Sequence, residues 1–184
     1  MLIKLFRPFI LLILSLGLLS CTGLPDKIKP VDSFELDAYL GKWHEVARLP
    51  HSFEEDMNQV TAEYQLNQDG SVKVINRGFN LCEQKWDKAE GNANFVDEKS
   101  KGYLKVSFFG PFYGSYVVFE LGPKLNGQYQ YSFVSGPNTD YLWLLSRTKD
   151  VSAQTKQAFI KKAKQADFNT NKVIWVNELN QCEQ

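Results

Sequence analysis

Few side chains in this 184-residue chain have the chemistry to act on a substrate or to hold a metal. There are two histidines, His44 and His51, and three cysteines, Cys21, Cys82 and Cys182. Neither histidine stands at metal-ligand spacing from a cysteine, a second histidine or a carboxylate, so no metal site is expected. No Gly-x-Ser-x-Gly elbow and no phosphate-cradling glycine-rich loop occurs. Glu54-Glu55-Asp56 gathers three carboxylates, but in a loop these read as a solvated acidic cluster rather than a general acid and base. A nucleophilic thiol would require Cys82 or Cys182 to be free. The sequence therefore reads as a binding protein without a cofactor and without a catalytic residue.

The elements around these residues set the compartment first. Lys4 and Arg7 precede an apolar run from Phe9 to Leu19, closed by Ser20. A basic start, a short apolar stretch and a small residue before a break mark a secretory signal over residues 1–20. The run falls short of the ~20 apolar residues of a spanning helix. Leu18-Leu19-Ser20-Cys21 resembles the bacterial lipobox, in which the cysteine is acylated and becomes the new N-terminus. The alternative is an ordinary signal peptide cut near Cys21. Thr22, rather than Asp, follows the cysteine, and by resemblance to sorted bacterial lipoproteins this implies a lipid-anchored protein of the outer membrane; its periplasmic face is the expected side, with the leaflet left open. Loss of the leader removes two of the 21 basic residues and none of the 21 acidic ones, giving a net charge of about −2. That excludes the basic excess a nucleic-acid partner needs. With Cys21 acylated, Cys82 and Cys182 form an even pair in an oxidising compartment and read as a disulfide, with two separate buried thiols as the alternative.

Residues 21–37 read as the lipidated N-terminus and a linker, since Pro25 and Pro30 oppose regular structure. From residue 42 the pattern becomes period two, broken by turn signals. Strand-like runs cover residues 42–49, 59–66, 71–79, 85–95, 103–109, 115–121, 128–134 and 141–147. Asp69-Gly70 and Asn126-Gly127 supply the positive φ of tight hairpin turns. Eight successive runs joined by short loops predict an all-β, up-and-down antiparallel barrel, which leaves no open sheet edge and has room for one small ligand. Ser152 then caps a predicted helix to about Asp167, and residues 172–177 form a short ninth strand.

Three blocks carry a family resemblance. Residues 41–50, opening Gly41-Lys42-Trp43, resemble the Gly-x-Trp start of lipocalins. Gly110-Pro111-Phe112-Tyr113-Gly114-Ser115-Tyr116 and residues 140–148 are similar to the sixth- and eighth-strand signatures of bacterial outer-membrane lipocalins. The resemblance makes residues 38–184 a lipocalin domain. It implies structural roles for Gly41 at the entry to strand one, Trp43 as a plug at the closed end, and Arg147 across the indole face. His44 and Gly122 depart from the family pattern, where Tyr and Asp are usual.

Inward-facing candidates for ligand binding are Ala47, Ala62, Tyr64, Val74, Asn76, Phe95, Val106, Phe108, Tyr116, Tyr131 and Trp143. Such an apolar, aromatic lining with a few polar groups suits a hydrophobic ligand. No buried cation is evident to pair an anionic head group. Burial of a methylene yields ~0.8 kcal/mol, against ~4–15 kcal/mol for association. A long-chain fatty acid or a lysophospholipid, held at the outer membrane, is therefore the expected partner. A filled barrel acting as a structural or assembly lipoprotein is the alternative, and a lipid-modifying enzyme a more distant one. Whether the chain forms a homodimer is left open.

Overall fold

The computed structural model describes residues 23–182; the leader, Cys21 and the last two residues lie outside the described residues. After a short helix α1 (Leu36–Tyr39) come β1 (Gly41–Arg48), β2 (Met57–Leu66), β3 (Val72–Asn80), β4 (Lys85–Phe95), β5 (Tyr103–Phe109) and β6 (Phe112–Leu121). A small hairpin, β7 (Lys124–Leu125) and β8 (Gln128–Tyr129), leads to β9 (Tyr131–Ser135) and β10 (Leu142–Ser146). Helix α2 (Ala153–Gln165) and β11 (Ile174–Trp175) follow. The sheet order is β10-β9-β6-β5-β4-β3-β2-β1-β11, and β10 also pairs with β1. Eight antiparallel strands thus close into a barrel with β11 added at β1, as the sequence pattern predicts. Ser152 caps α2 by accepting from the Thr155 N–H.

The seventh run is not one strand. Asn126 and Gly127 both take positive φ, at 51° and 80°, and fold residues 124–129 into a hairpin of their own. Only Tyr131–Ser135 enters the barrel, between β6 and β10.

Strand directions define two ends. The loops 49–56, 81–84, 110–111 and 136–141 share the open end. The opposite end is shut by α1 and by Trp43, whose indole N–H donates to the Tyr39 carbonyl at 2.7 Å. Arg147 lies 3.8 Å over the Trp43 ring and donates to the carbonyls of Ala38, Tyr39, Leu40, Lys42 and Tyr129. One guanidinium therefore ties α1, β1 and β8 together. Gly41, at φ 92°, makes the turn from α1 into β1 that a side chain would strain.

Residues 24–35 lack regular structure, as their prolines require, but they are not a free tether. Ile28 and Phe34 are buried. The Val31 N–H donates to the Val118 carbonyl, the Gly102 N–H to Val31, and the Phe34 N–H to the Ser100 carbonyl. Apolar side chains at Ile28, Val31 and Phe34 dock the segment on the barrel wall, and the packed structure begins well before residue 38. Gly23 lies beside the Pro137 carbonyl at the open end, so the segment descends from the mouth to the closed end.

Two apolar clusters result. One fills the inner face around Trp43, Tyr39, Tyr64, Val74, Val118 and Val134. The other lies outside, between the wall and α2, around Val117, Phe133, Leu144 and Phe159. Cys82, in the 81–84 loop, is bonded to Cys182, which draws the C-terminal tail against the open end.

Candidate functional site

Strand alternation, read with the two clusters, sorts the expected lumen residues. Ala62, Tyr64, Val74, Phe95, Val106, Phe108, Tyr116 and Trp143 belong to the inner cluster. Asn76 shares a face with Val72 and Val74, four and two positions away on β3. Its Oδ1 is buried without a protein partner. Ala62, Phe95, Val106, Phe108, Tyr116 and Trp143 remain partly accessible although they face inward. The lumen wall is apolar and not completely filled.

Two of the expected residues lie elsewhere. Ala47 packs in the outer cluster. A register shift between Glu45 and Ala47 in the β1–β10 pairing puts Val46 and Ala47 both outside. Tyr131 also faces outward, its ring 5.3 Å from Phe133 beneath α2. β9 begins at Tyr131 and has Ser132 and Val134 on the inner face, which reverses the phase assumed for one continuous strand. Gly122 explains part of that placement: a Cβ there would stand 2.5 Å from the Tyr131 ring. His44 is half-buried on the outer side of β1.

The floor of the lumen is a chain of hydroxyls. Tyr64 and Tyr116 lie 2.8 Å apart, Tyr116 and Tyr39 2.6 Å, and Tyr39 donates to Ser132 Oγ at 3.2 Å. Burial raises the pKa of all three phenols, that of Tyr39 to about 12. They stay neutral and use their protons on one another. Tyr64 and Tyr116 are thus committed to the floor rather than to a head group.

The bulge has a second effect that alternation missed. It turns Arg48 inward on the face of Trp143, its cross-strand partner. Arg48 is 1% exposed, which corrects the expectation of no buried cation. Its Nη1 donates to Glu45 Oε1 at 2.8 Å, and its Nη2 to the carbonyls of Glu54 and Met57 at 2.7 and 3.0 Å. Glu54 is buried as well, against the expectation of a solvated acidic loop. Its Oε2 accepts from the Trp143 indole at 3.2 Å and lies 3.0 Å from His51 Nε2, without the alignment of a full hydrogen bond. The sequence did carry a signal: Val46-Ala47, two adjacent apolar residues between Glu45 and Arg48, break period two as a bulge does.

The two carboxyls respond oppositely to this setting. Burial, reinforced by the charge of Glu54, pushes Glu45 well above the ordinary carboxyl value despite Arg48. Burial also acts upward on Glu54, but His51, Arg48 and the Trp143 N–H together outweigh it and hold that carboxyl below its ordinary 4.5. A lowered folded pKa stabilises the fold above the unfolded value, and that contribution is lost as pH falls through the folded pKa. Glu54→Gln is therefore expected to show a smaller fall in urea midpoint than the parent between pH 5 and 3 (roughly the window set by that shift). Equal falls would remove Glu54 from the acid response.

Arg48 is hydrogen-bonded to Glu45 and to two carbonyls, so its guanidinium is already engaged within the collar. Among the described residues, the potential metal-ligating group of Asp56, Cys82 and Cys182 has both its sulfurs in the disulfide. The arrangement is a closed-bottomed apolar cup with a polar collar at the mouth, suited to binding.

The comparisons agree with that geometry. A family model described as a lipocalin-like domain matches residues 34–178. The chain belongs to the lipocalin family. This lipocalin is 54% identical over 172 residues to outer membrane lipoprotein Blc of Vibrio cholerae, covering 94% of this chain and 99% of that one. It is 42% identical to the Escherichia coli K12 protein of the same name, over 84% of this chain and 85% of the relative. Among solved structures, insecticyanin from Manduca sexta superposes with a TM-score of 0.62 at 20% identity, covering 88% of this lipocalin and 91% of that chain. The last likeness establishes the fold alone.

Proposed function

We propose that this lipocalin binds a long-chain fatty acid or lysophospholipid, tail first, in the barrel, and holds or carries it at the outer membrane. The observation that carries the reading is the set of inward apolar side chains, Ala62, Phe95, Val106, Phe108, Tyr116 and Trp143, that remain partly accessible. Each buried methylene contributes ~0.8 kcal/mol. A chain of about sixteen carbons therefore supplies ~13 kcal/mol, near the top of the ~4–15 kcal/mol association cost, whereas one of about ten supplies ~8 kcal/mol, below the middle of that range. The committed tyrosine hydroxyls give the floor no free donor for a charged group, so the head group stays at the mouth. Asn76 Oδ1 leaves one acceptor in the wall for water or a ligand hydroxyl.

The location draws on two supports. The relatives at 54% and 42% identity are named outer membrane lipoproteins. Leu18-Leu19-Ser20-Cys21 is the matching lipobox, with Cys21 as the acylated residue. Lipocalins generally bind or carry ligands, and the site has no arrangement that calls for turnover.

Titration of delipidated protein with a C18 lysophospholipid below its micelle concentration should quench tryptophan emission saturably. Trp43 and Trp143 both belong to the inner cluster. Ala62→Trp, which puts a large ring into the lumen, is expected to weaken binding at least about tenfold, or about 1.4 kcal/mol, with the barrel's circular dichroism retained. Absence of saturable binding for every acyl ligand, in a folded barrel, would leave the filled-barrel reading in its place.

A further inference from the structure

The exposed large apolar side chains divide by end of the barrel. Leu66, Val96 and Leu125, all aliphatic, lie at the closed end. The aromatic ones, Phe53, Trp86, Phe109 and Phe112, are 57%, 58%, 80% and 72% exposed and all belong to the open end. Phe53 sits in the 49–56 loop, and Trp86 follows the 81–84 loop at the start of β4. Phe109 and Phe112 face each other across the tight Gly110-Pro111 turn. A soluble domain gains nothing from presenting its largest rings to water at one rim, whereas Trp and Phe side chains bury favourably at the boundary between head groups and acyl chains of a bilayer.

The path of the N-terminus identifies what covers this rim. Gly23 lies beside the Pro137 carbonyl in an open-end loop. Cys21 is two residues away, so it is within about 7 Å of Gly23 even with the chain fully extended. The packing of Ile28, Val31 and Phe34 against the wall removes the slack that would let the barrel turn over on a long tether.

We propose that the open rim, through Phe53, Trp86, Phe109 and Phe112, docks directly on a phospholipid bilayer, so that the lipocalin sits mouth-down on the surface that its N-terminal anchor enters. The anchor and the rings engage the same leaflet from the same end. Two weak attachments held together in this way act as one stronger one. If the acyl-binding reading above holds, as this last step requires, a lipid tail passes between bilayer and lumen without crossing water.

The rim is tested apart from the anchor with residues 21–184 carrying Cys21→Ser, which retains every described element. Flotation with vesicles of phosphatidylethanolamine and phosphatidylglycerol should show the unacylated protein partitioning to lipid. The double substitution Phe109→Asp with Phe112→Asp should weaken that partitioning at least about tenfold, or about 1.4 kcal/mol. Leu125→Asp, an equal change at the closed end, should leave it unchanged. All three positions are exposed, and near-ultraviolet circular dichroism checks that the barrel persists. No partitioning by the parent, or equal loss in Leu125→Asp, overturns the proposal. So does a parent that forms dimers broken by the double substitution while staying off the vesicles; the rim would then be a contact between copies. Monomeric lysophospholipid binding by the double variant is read separately. If it persists while vesicle binding is lost, docking and ligand capture are distinct. Its absence in the parent refutes the acyl-ligand reading and leaves the rim result standing.

Discussion

Replacing both Cys82 and Cys182 with serine is expected to lower the stability of this lipocalin by about 4–5 kcal/mol. The bond joins residues 100 apart, and a cross-link over a loop of that size removes a large part of the unfolded chain's freedom. At about 2–4 °C per kcal/mol for a domain of this size, the midpoint of thermal unfolding should fall by roughly 10–20 °C. Besides the bond, Asn58 Nδ2 donates to the Leu179 carbonyl at 3.1 Å, Asn177 Nδ2 donates to the Lys149 carbonyl, and Val176 is buried near the wall. Urea titration of the parent and the double serine variant measures the difference. A loss under about 1 kcal/mol would mean that the tail packs as well without the bond, far below the loop-entropy expectation. The result also bears on compartment, because a barrel this dependent on a disulfide suits an oxidising space.

Glu45→Ala is expected to cost about 3–5 kcal/mol, the usual consequence of leaving a buried charge without its partner. Arg48 is 1% exposed and cannot reach water when Glu45 is removed. Replacing the pair together, Glu45→Met with Arg48→Met, should recover part of that loss, since a buried ion pair exchanged for apolar side chains is often close to neutral. Recovery should stop short of the parent by about 1–3 kcal/mol, because the carbonyls of Glu54 and Met57 lose their donor. Chemical denaturation of the two variants decides the matter. A double variant no more stable than Glu45→Ala would show that Arg48 acts through those carbonyls and not through its carboxylate.

The two predictions concern residues of very different legibility. Cys82 and Cys182 could be paired by counting, once Cys21 was assigned to a lipid. Most of the lumen wall was also readable: on regular stretches such as residues 61–66 of β2 and the facing part of β3, period two places Ala62, Tyr64 and Val74 on one face without knowledge of the partner strands. The collar was not. One bulge in β1 exchanged Ala47 for Arg48 on the inner face, and the buried polar group at the mouth followed from it. Tyr131 failed for a related reason. The hairpin at Asn126-Gly127 ended one strand and β9 restarted after it with a new phase.

The segment before α1 shows the other side of the division. Its prolines predicted irregular backbone correctly, but irregular backbone is not free backbone. Ile28, Val31 and Phe34 find partners in residues 100–118 and in α2's neighbourhood, contacts that no local window contains.

By itself the sequence determined the barrel, its helix and the plug of Trp43 and Arg147, because periodicity, turn residues and short motifs act over a few positions. Only the tertiary structure decided which charges turn inward, where the N-terminus leaves the barrel, and that the exposed aromatic rings gather at the same end. Those outcomes depend on strand register and on contacts between residues 100 or more apart, as in the disulfide and the Asn58–Leu179 hydrogen bond. A shift of one residue in register reverses every side chain beyond it.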